Sequence, residues 1–286
     1  IYGDDQLFPH EPWGPGWNQD DLIYRSGAPA SALVVNSNEV MLEISPGEKP
    51  GDPVRAAWRE DDAYYQMRNE AMTVEGDKDT LRIEVLPGGE AVRLYGTLGA
   101  AMRPQGIPMA ANDPGTVAAF RFQRLLRERD IEVAGGVLPR HRQLTLADEP
   151  KTRGEGSATE TPAGTEIGRL LPPPLIDDLR FLNKQSQNLH AEVLLRRLGM
   201  IDGGGSRVEG LAVIEAMLDE AGADRGTWDL SDGSGMSTYN RVTPRMVARF
   251  LRWTSQQPWS EGFRSTLAVG GVDGTLSRRF PDTPLQ

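Results

Sequence analysis

Asn183-Lys184-Gln185-Ser186-Gln187-Asn188-Leu189-His190-Ala191-Glu192 sits in the middle of a helical pattern and breaks it. Leu175, Leu179, Leu182, Leu189 and Val193 recur at helical three-and-four spacing, and that phase puts Ser186 on the buried face. Six consecutive polar residues, 183 to 188, interrupt the apolar stripe. Burying Lys184 and Asn188 without partners would cost several kcal/mol each. The segment is therefore either a solvated junction between two helices or a polar cluster lining a cleft. Periodicity alone favours the junction.

Helical signals continue downstream. Ser206-Arg207-Val208-Glu209 has the form of a capping box, followed by Leu211 and Leu218 and closed by Gly222. Thr243-Pro244 opens a helix carrying Met246, Val247, Phe250 and Leu251, and Trp259, Phe263 and Leu267 suggest a short last one. Between them, Ser231-Asp232-Gly233-Ser234-Gly235-Met236-Ser237-Thr238-Tyr239-Asn240 is a loop of small and polar residues. It resembles a calcium loop only faintly, because the ligand order is wrong and Asn240 stands where a bidentate Glu belongs.

Upstream, the pattern changes to strands and turns. Residues 32–35 and 40–44 are β-branched runs on either side of Asn36-Ser37-Asn38. Residues 81–85 and 92–95 alternate around Pro87-Gly88-Gly89 and predict a hairpin. Residues 55–70 read as strand or helix. Asp113-Pro114 predicts a capped helix running to Arg129, and residues 131–133 and 135–137 then read as a strand pair. Residues 147–166 hold few large apolar side chains and read as a surface loop or linker, and Pro172-Pro173-Pro174 marks the passage to the helical part. The coarse picture is a β-rich N-terminal unit and a helical C-terminal one.

Composition excludes several functions. The 286 residues carry 31 Lys and Arg against 41 Asp and Glu, a net charge of −10, which disfavours a nucleic-acid surface. With 38% apolar residues a buried core is attainable. No apolar run is long enough for a membrane span. The absence of cysteine removes thiolate chemistry and Cys-based metal sites. His10, His141 and His190 are the only histidines and nothing in the sequence brings them together, so neither a His-based triad nor a metal centre is expected. No Gly-x-Ser-x-Gly elbow, His-Glu-x-x-His or phosphate-binding Gly-Lys-Ser/Thr loop is present.

The 183–192 stretch followed by Asp232-Gly233-Ser234-Gly235-Met236-Ser237 and Asn240 resembles the class C low-molecular-mass penicillin-binding proteins, the D-Ala-D-Ala carboxypeptidases and endopeptidases of bacterial cell walls. Residues 17–24, Ala28-Pro29-Ala30-Ser31-Ala32-Leu33, Asp113-Pro114 and Gly270-Gly271-Val272-Asp273-Gly274-Thr275-Leu276 are similar as well, so the likeness spans nearly the whole chain. It implies a penicillin-recognising, β-lactamase-like α/β transpeptidase-like domain, mainly its helical part here at 169–286, with a β-rich inserted region at 1–168 of one or two nested subdomains. It also implies a serine-type DD-peptidase acting through an acyl-enzyme on peptidoglycan stem peptides, inhibited by β-lactams, periplasmic or otherwise extracytoplasmic, and needing no metal or organic cofactor.

The family's chemistry uses Ser-x-x-Lys, Ser-x-Asn and Lys-Thr-Gly. Ser186-Gln187-Asn188 matches the second, so the resemblance gives Ser186 a proton relay near the leaving group and Asn188 a substrate amide to hold, with Lys184 beside them. No serine has lysine three positions later, and Lys151-Thr152-Arg153 is no Lys-Thr-Gly. In the family those two motifs lie before and after the region matched, which implies a segment of a longer or processed protein, inactive by itself. Gln187 replaces the commoner Asp, and Thr238 stands where the family often has Arg. A helical half without its sheet is expected to be poorly stable or sticky. The alternative is a non-catalytic cell-wall binding or scaffold protein of the same fold. An unrelated binding module requires the ordered matches to be coincidence.

Overall fold

The computed structural model describes residues 1–59, 65–85, 91–152 and 164–281. Two compact units divide the chain, one of Ile1–Asp5 with Asn18–His141 and the other of Gln6–Trp17 with Arg142–Gln286. The expected boundary at 168/169 falls in a stretch, 164–174, without regular secondary structure. The unit holding that stretch begins at Arg142 and takes in Gln6–Trp17 as well.

The first unit is built on strands. In chain order its elements are β1 (Tyr2–Pro9), β2 (Glu39–Ser45), β3 (Arg55–Trp58), β4 (Gln66–Asn69), β5 (Met72–Val74), β6 (Arg82–Val85), β7 (Ala91–Tyr95), β8 (Thr97–Gly99), β9 (Gln105–Ala110), α1 (Pro114–Arg127) and β10 (Leu138–Arg142). β1 pairs with β10, and the division between the units falls within both strands. β2 is the centre of an antiparallel sheet, with Leu42 opposite Trp58 on β3 and Ile107 on β9. Its alternation works as the pleat requires: Val40, Leu42 and Ile44 are buried while Met41 and Glu43 face outward. β7 lies between β4, parallel, and β6, antiparallel, and buries Val92 and Leu94. These side chains form one core with Val54, Leu98 and Met109, each stabilising the unit by about 1.5–3 kcal/mol.

The predicted hairpin is present as β6 and β7, while its turn lies outside the described residues. The ambiguous stretch 55–70 supplies β3 and β4. Three expected strands, 32–35 and the pair at 131–133 and 135–137, are not strands. At 32–35 the chain is irregular, because Asn36, Ser37 and Asn38 follow with φ near +50° and turn the backbone. Asn38 secures that turn, accepting from Val35 N at 3.1 Å and donating to Pro29 O at 3.1 Å. At 131–137 the backbone is likewise irregular. Asp130, with φ +58°, ends α1, and the Ile131 N–H is spent on Leu126 O at 3.0 Å. Pairing resumes only at Leu138.

The second unit carries α2 (Leu175–Gln185), α3 (Asn188–Gly199), α4 (Arg207–Glu220), β11 (Trp228–Asp229), β12 (Arg241–Val242), α5 (Pro244–Thr254) and α6 (Ser260–Thr266). The predicted caps are formed. Asp113 accepts from Thr116 N at 3.0 Å at the start of α1 in the first unit. Ser206 and Glu209 exchange two hydrogen bonds at the start of α4, and Thr243 accepts from Met246 N at the start of α5. Past α4, Gly222 at φ +70° lets Ala223 N reach Leu218 O at 2.9 Å. α3 and α4 meet at Gly210, where a Cβ would lie 2.0 Å from Leu195 O.

The polar stretch 147–166 is not wholly a surface loop, since the Asp148 side chain is fully buried. It accepts from Arg142 Nη1 at 2.6 Å, Thr145 N at 2.8 Å and Thr145 Oγ1 at 2.9 Å. Arg142 Nη2 also donates to Gly204 O, and Ser206 Oγ to Asp148 O, both at 2.6 Å. A short polar turn thus anchors the start of α4. Burial of Asp148 is tolerated because its carboxylate is paired with Arg142.

Candidate active site

The helical stripe through 175–193 breaks in two at Ser186. Ser186 has φ 56° and ψ 56°, the left-handed conformation that a serine adopts at a cost of about 1–3 kcal/mol. α2 ends there, with Gln187 N donating to Leu182 O at 2.9 Å. α3 begins directly, its first amide region met by the Gln187 side chain, which accepts from Leu189 N at 3.4 Å. The break resets the helical phase. Ser186, expected on the buried face, is exposed, and Gln187 is buried in its place. Asn188, first residue of α3, is half-buried. The polar run is therefore a junction between two helices that also presents Ser186 to solvent.

Lys184 lies in the last turn of α2 and turns its amine to Asp273 Oδ2. The other oxygen of Asp273 accepts from Val269 N at 2.9 Å. The Lys184 hydrogen bond, and after it the Val269 N–H, hold the Asp273 carboxyl below the usual carboxylate range. Gly274 has φ +58°, and a Cβ there would lie 2.7 Å from Lys184 O. One residue earlier on α2, Asn183 Nδ2 donates to the buried Thr266 Oγ1 at 2.7 Å. The end of α2 is thus gripped by residues 266–274.

Two carboxylates organise the loop after α4. Asp232, 5% exposed, accepts from four donors: Trp17 Nε1 at 2.9 Å, Ser237 N at 2.5 Å, Gly235 N at 2.9 Å and Asn240 Nδ2 at 2.7 Å. Glu192 on α3 accepts from Gly233 N and Ser234 N, both at 2.8 Å. Gly233 also lies close against α3, its notional Cβ 2.8 Å from Ala191 O. The loop 232–240 is therefore seated on α3 one turn beyond Asn188.

Sequence reasoning chose Ser186, Asn188 and Lys184. The structure sets Ser186 and Asn188 on either side of Gln187 at the break and gives Lys184 to an ion pair. It missed Asp273 and Asp232 as organisers, and Glu192 as the group that seats the loop. Glu192 left a signal, an acid four residues before Arg196 in an otherwise apolar stripe. Chemically, an exposed hydroxyl beside a helix N-terminus can pass a proton, and the Asn188 amide can both donate to and accept from a peptide group.

A family model described as the D-Ala-D-Ala carboxypeptidase 3 (S13) family matches residues 1–286. A D-alanyl-D-alanine carboxypeptidase of Actinomadura sp. (strain R39) is 27% identical over 296 residues, covering 99% of this chain and 52% of that protein. The crystal structure of penicillin binding protein 4 (dacB) from Haemophilus influenzae superposes with a TM-score of 0.77 at 24% identity, over 99% of this chain and 60% of that one. The same protein complexed with a novel β-lactam matches at a TM-score of 0.68 and 23% identity, over 89% and 56%. The chain spans about half the length of the curated relatives it matches.

Proposed function

The chain belongs to the D-Ala-D-Ala carboxypeptidase 3 (S13) family, and on that premise we propose that the whole protein is a serine-type DD-peptidase acting on peptidoglycan stem peptides. Its fold is the penicillin-recognising, transpeptidase-like one with a β-rich added domain. A serine hydroxyl attacks the carbonyl of the penultimate D-Ala, the terminal D-Ala leaves with a proton, and water then hydrolyses the acyl-enzyme ester. A β-lactam forms the corresponding acyl adduct and stays; the β-lactam complex of the Haemophilus influenzae protein supports extending this to the present one.

The observation that carries this reading is Ser186-Gln187-Asn188 held at a helix break, with Ser186 exposed. Ser186 relays the proton to the leaving amine, and Asn188 holds a substrate amide. Neither Ser-x-x-Lys nor Lys-Thr-Gly occurs within residues 1–286, so this chain contributes the middle motif. Because peptidoglycan lies outside the cytoplasmic membrane, the protein works in the periplasm or an equivalent extracytoplasmic space. Among the described residues no helix is long and apolar enough to cross a membrane.

The test is the intact mass of the whole protein with and without benzylpenicillin, alongside release of D-Ala from a D-Ala-D-Ala peptide. A gain of one drug molecule, with acylation slowed about 100-fold or more in Ser186→Ala, is expected for a lost proton relay. No adduct and no D-Ala released would leave the protein a non-catalytic wall-binding member of the fold.

A further inference from the structure

We infer that Asp273 is a positioning residue, holding Lys184 so that the chain stays broken at Ser186 with Asn188 starting the next helix. This rests on the reading of Ser186 and Asn188 as site residues. Three observations carry it. First, a non-glycine residue in the left-handed region persists only where its surroundings over-determine it, and Ser186 has φ 56°. Second, the residues just before it are tied to one segment: Lys184 to Asp273, Asn183 to Thr266, and the Lys184 carbonyl against Gly274. Third, Asp273 is itself held, its second oxygen accepting from Val269 N. A carboxylate fixed at both oxygens is a rigid anchor for a flexible lysine.

The geometry also gives Lys184 a role. Its ammonium is engaged by a carboxylate and so acts as a tether rather than as a base awaiting a proton. The low carboxyl of Asp273 fits this, since a partner that stays ionised keeps the tether closed. Released from Asp273, the end of α2 can relax Ser186 toward a commoner backbone conformation, and Asn188 moves relative to Ser186. Displacements of about 1 Å at a catalytic group cost on the order of 100-fold in rate.

The experiment uses the whole protein and two independent readouts, amide hydrogen exchange across residues 183–189 and the rate of acylation by benzylpenicillin. Asp273→Asn and Lys184→Met should each speed exchange at the Gln187 amide about tenfold or more, because its bond to Leu182 O closes α2. Each should slow acylation roughly 10- to 100-fold. Asp273→Glu should restore most of both, and the double variant should be no worse than either single one. The thermal midpoint should move little, as both side chains are partly exposed. Unchanged exchange in both single variants would overturn the inference. So would a loss of acylation that follows the thermal midpoint and is not rescued by Asp273→Glu. If the wild-type protein forms no adduct, the peptidase reading falls, and the exchange data alone decide whether Asp273 holds the break.

Discussion

Glu192 and Arg196 form an ion pair one helical turn apart, Oε2 accepting from Nη1 at 2.6 Å with the side chains 1% and 2% exposed. Nothing in it is left to solvent. Arg196 Nη2 donates to Glu11 O at 2.9 Å, and the second oxygen of Glu192 takes the Gly233 and Ser234 amides. A local pair on α3 thereby holds a loop 41 residues away in sequence.

Removing one partner of such a pair leaves an uncompensated buried charge. Arg196→Met should destabilise the second unit by about 3–5 kcal/mol, far more than an exposed pair would. Five of the six tryptophans belong to that unit, so the shift is read from tryptophan fluorescence in urea. A loss under about 1 kcal/mol would mean that the pair is wet, with no desolvated charge to strand.

Gly210 on α4 packs against the backbone of α3 at Leu195. Gly210→Ala puts a methyl 2.0 Å from Leu195 O, which neither backbone can give way to without parting the helices. A destabilisation of about 1–3 kcal/mol or more is expected from overpacking, despite alanine's better helix propensity. Gly222→Ala is the contrast: nothing lies within 4 Å of its Cβ, so only the strain of φ +70° opposes it. If Gly210→Ala proves the milder of the two, the helices do not pack this closely.

Asp148 gives the second unit a pH dependence. Burial alone would raise its carboxyl, but Arg142 and the two Thr145 donors outweigh that and hold it below the usual range. The native state thus favours the charged form more than the unfolded chain does. The stability this supplies is complete above the unfolded value, about 4, and is lost as pH falls through the lower native value. Urea midpoints of wild type and Asp148→Asn should differ most at neutral pH and converge below about pH 4. A gap that stays constant over that range would rule out the carboxylate as its source.

Much of this fold was legible because its signals are local. Asp113, Ser206 with Glu209, and Thr243 cap helices through bonds that span three residues, and Val40, Leu42 and Ile44 declare the buried face of β2 by alternation. Residues 131–133 show the limit of such signals. They have strand composition, yet the left-handed Asp130 spends the Ile131 amide on closing α1. Ser186 shows it again. Spacing placed it inward, but spacing assumes one uninterrupted helix, and a single left-handed residue shifts the phase of everything after it.

By itself the sequence determined the caps, the strand faces, the β-to-α order along the chain and the place of the polar Ser186-Gln187-Asn188 segment. The tertiary structure alone decided which charges are buried and what each one holds: Lys184 finds Asp273 89 residues on, Trp17 finds Asp232 across 215, and Asp148 disappears inside a stretch composed like a surface loop. The reason is physical. Capping and alternation act over a few residues, whereas a buried charge is stable only where a distant segment returns to pair it, and residue spacing carries no record of that return.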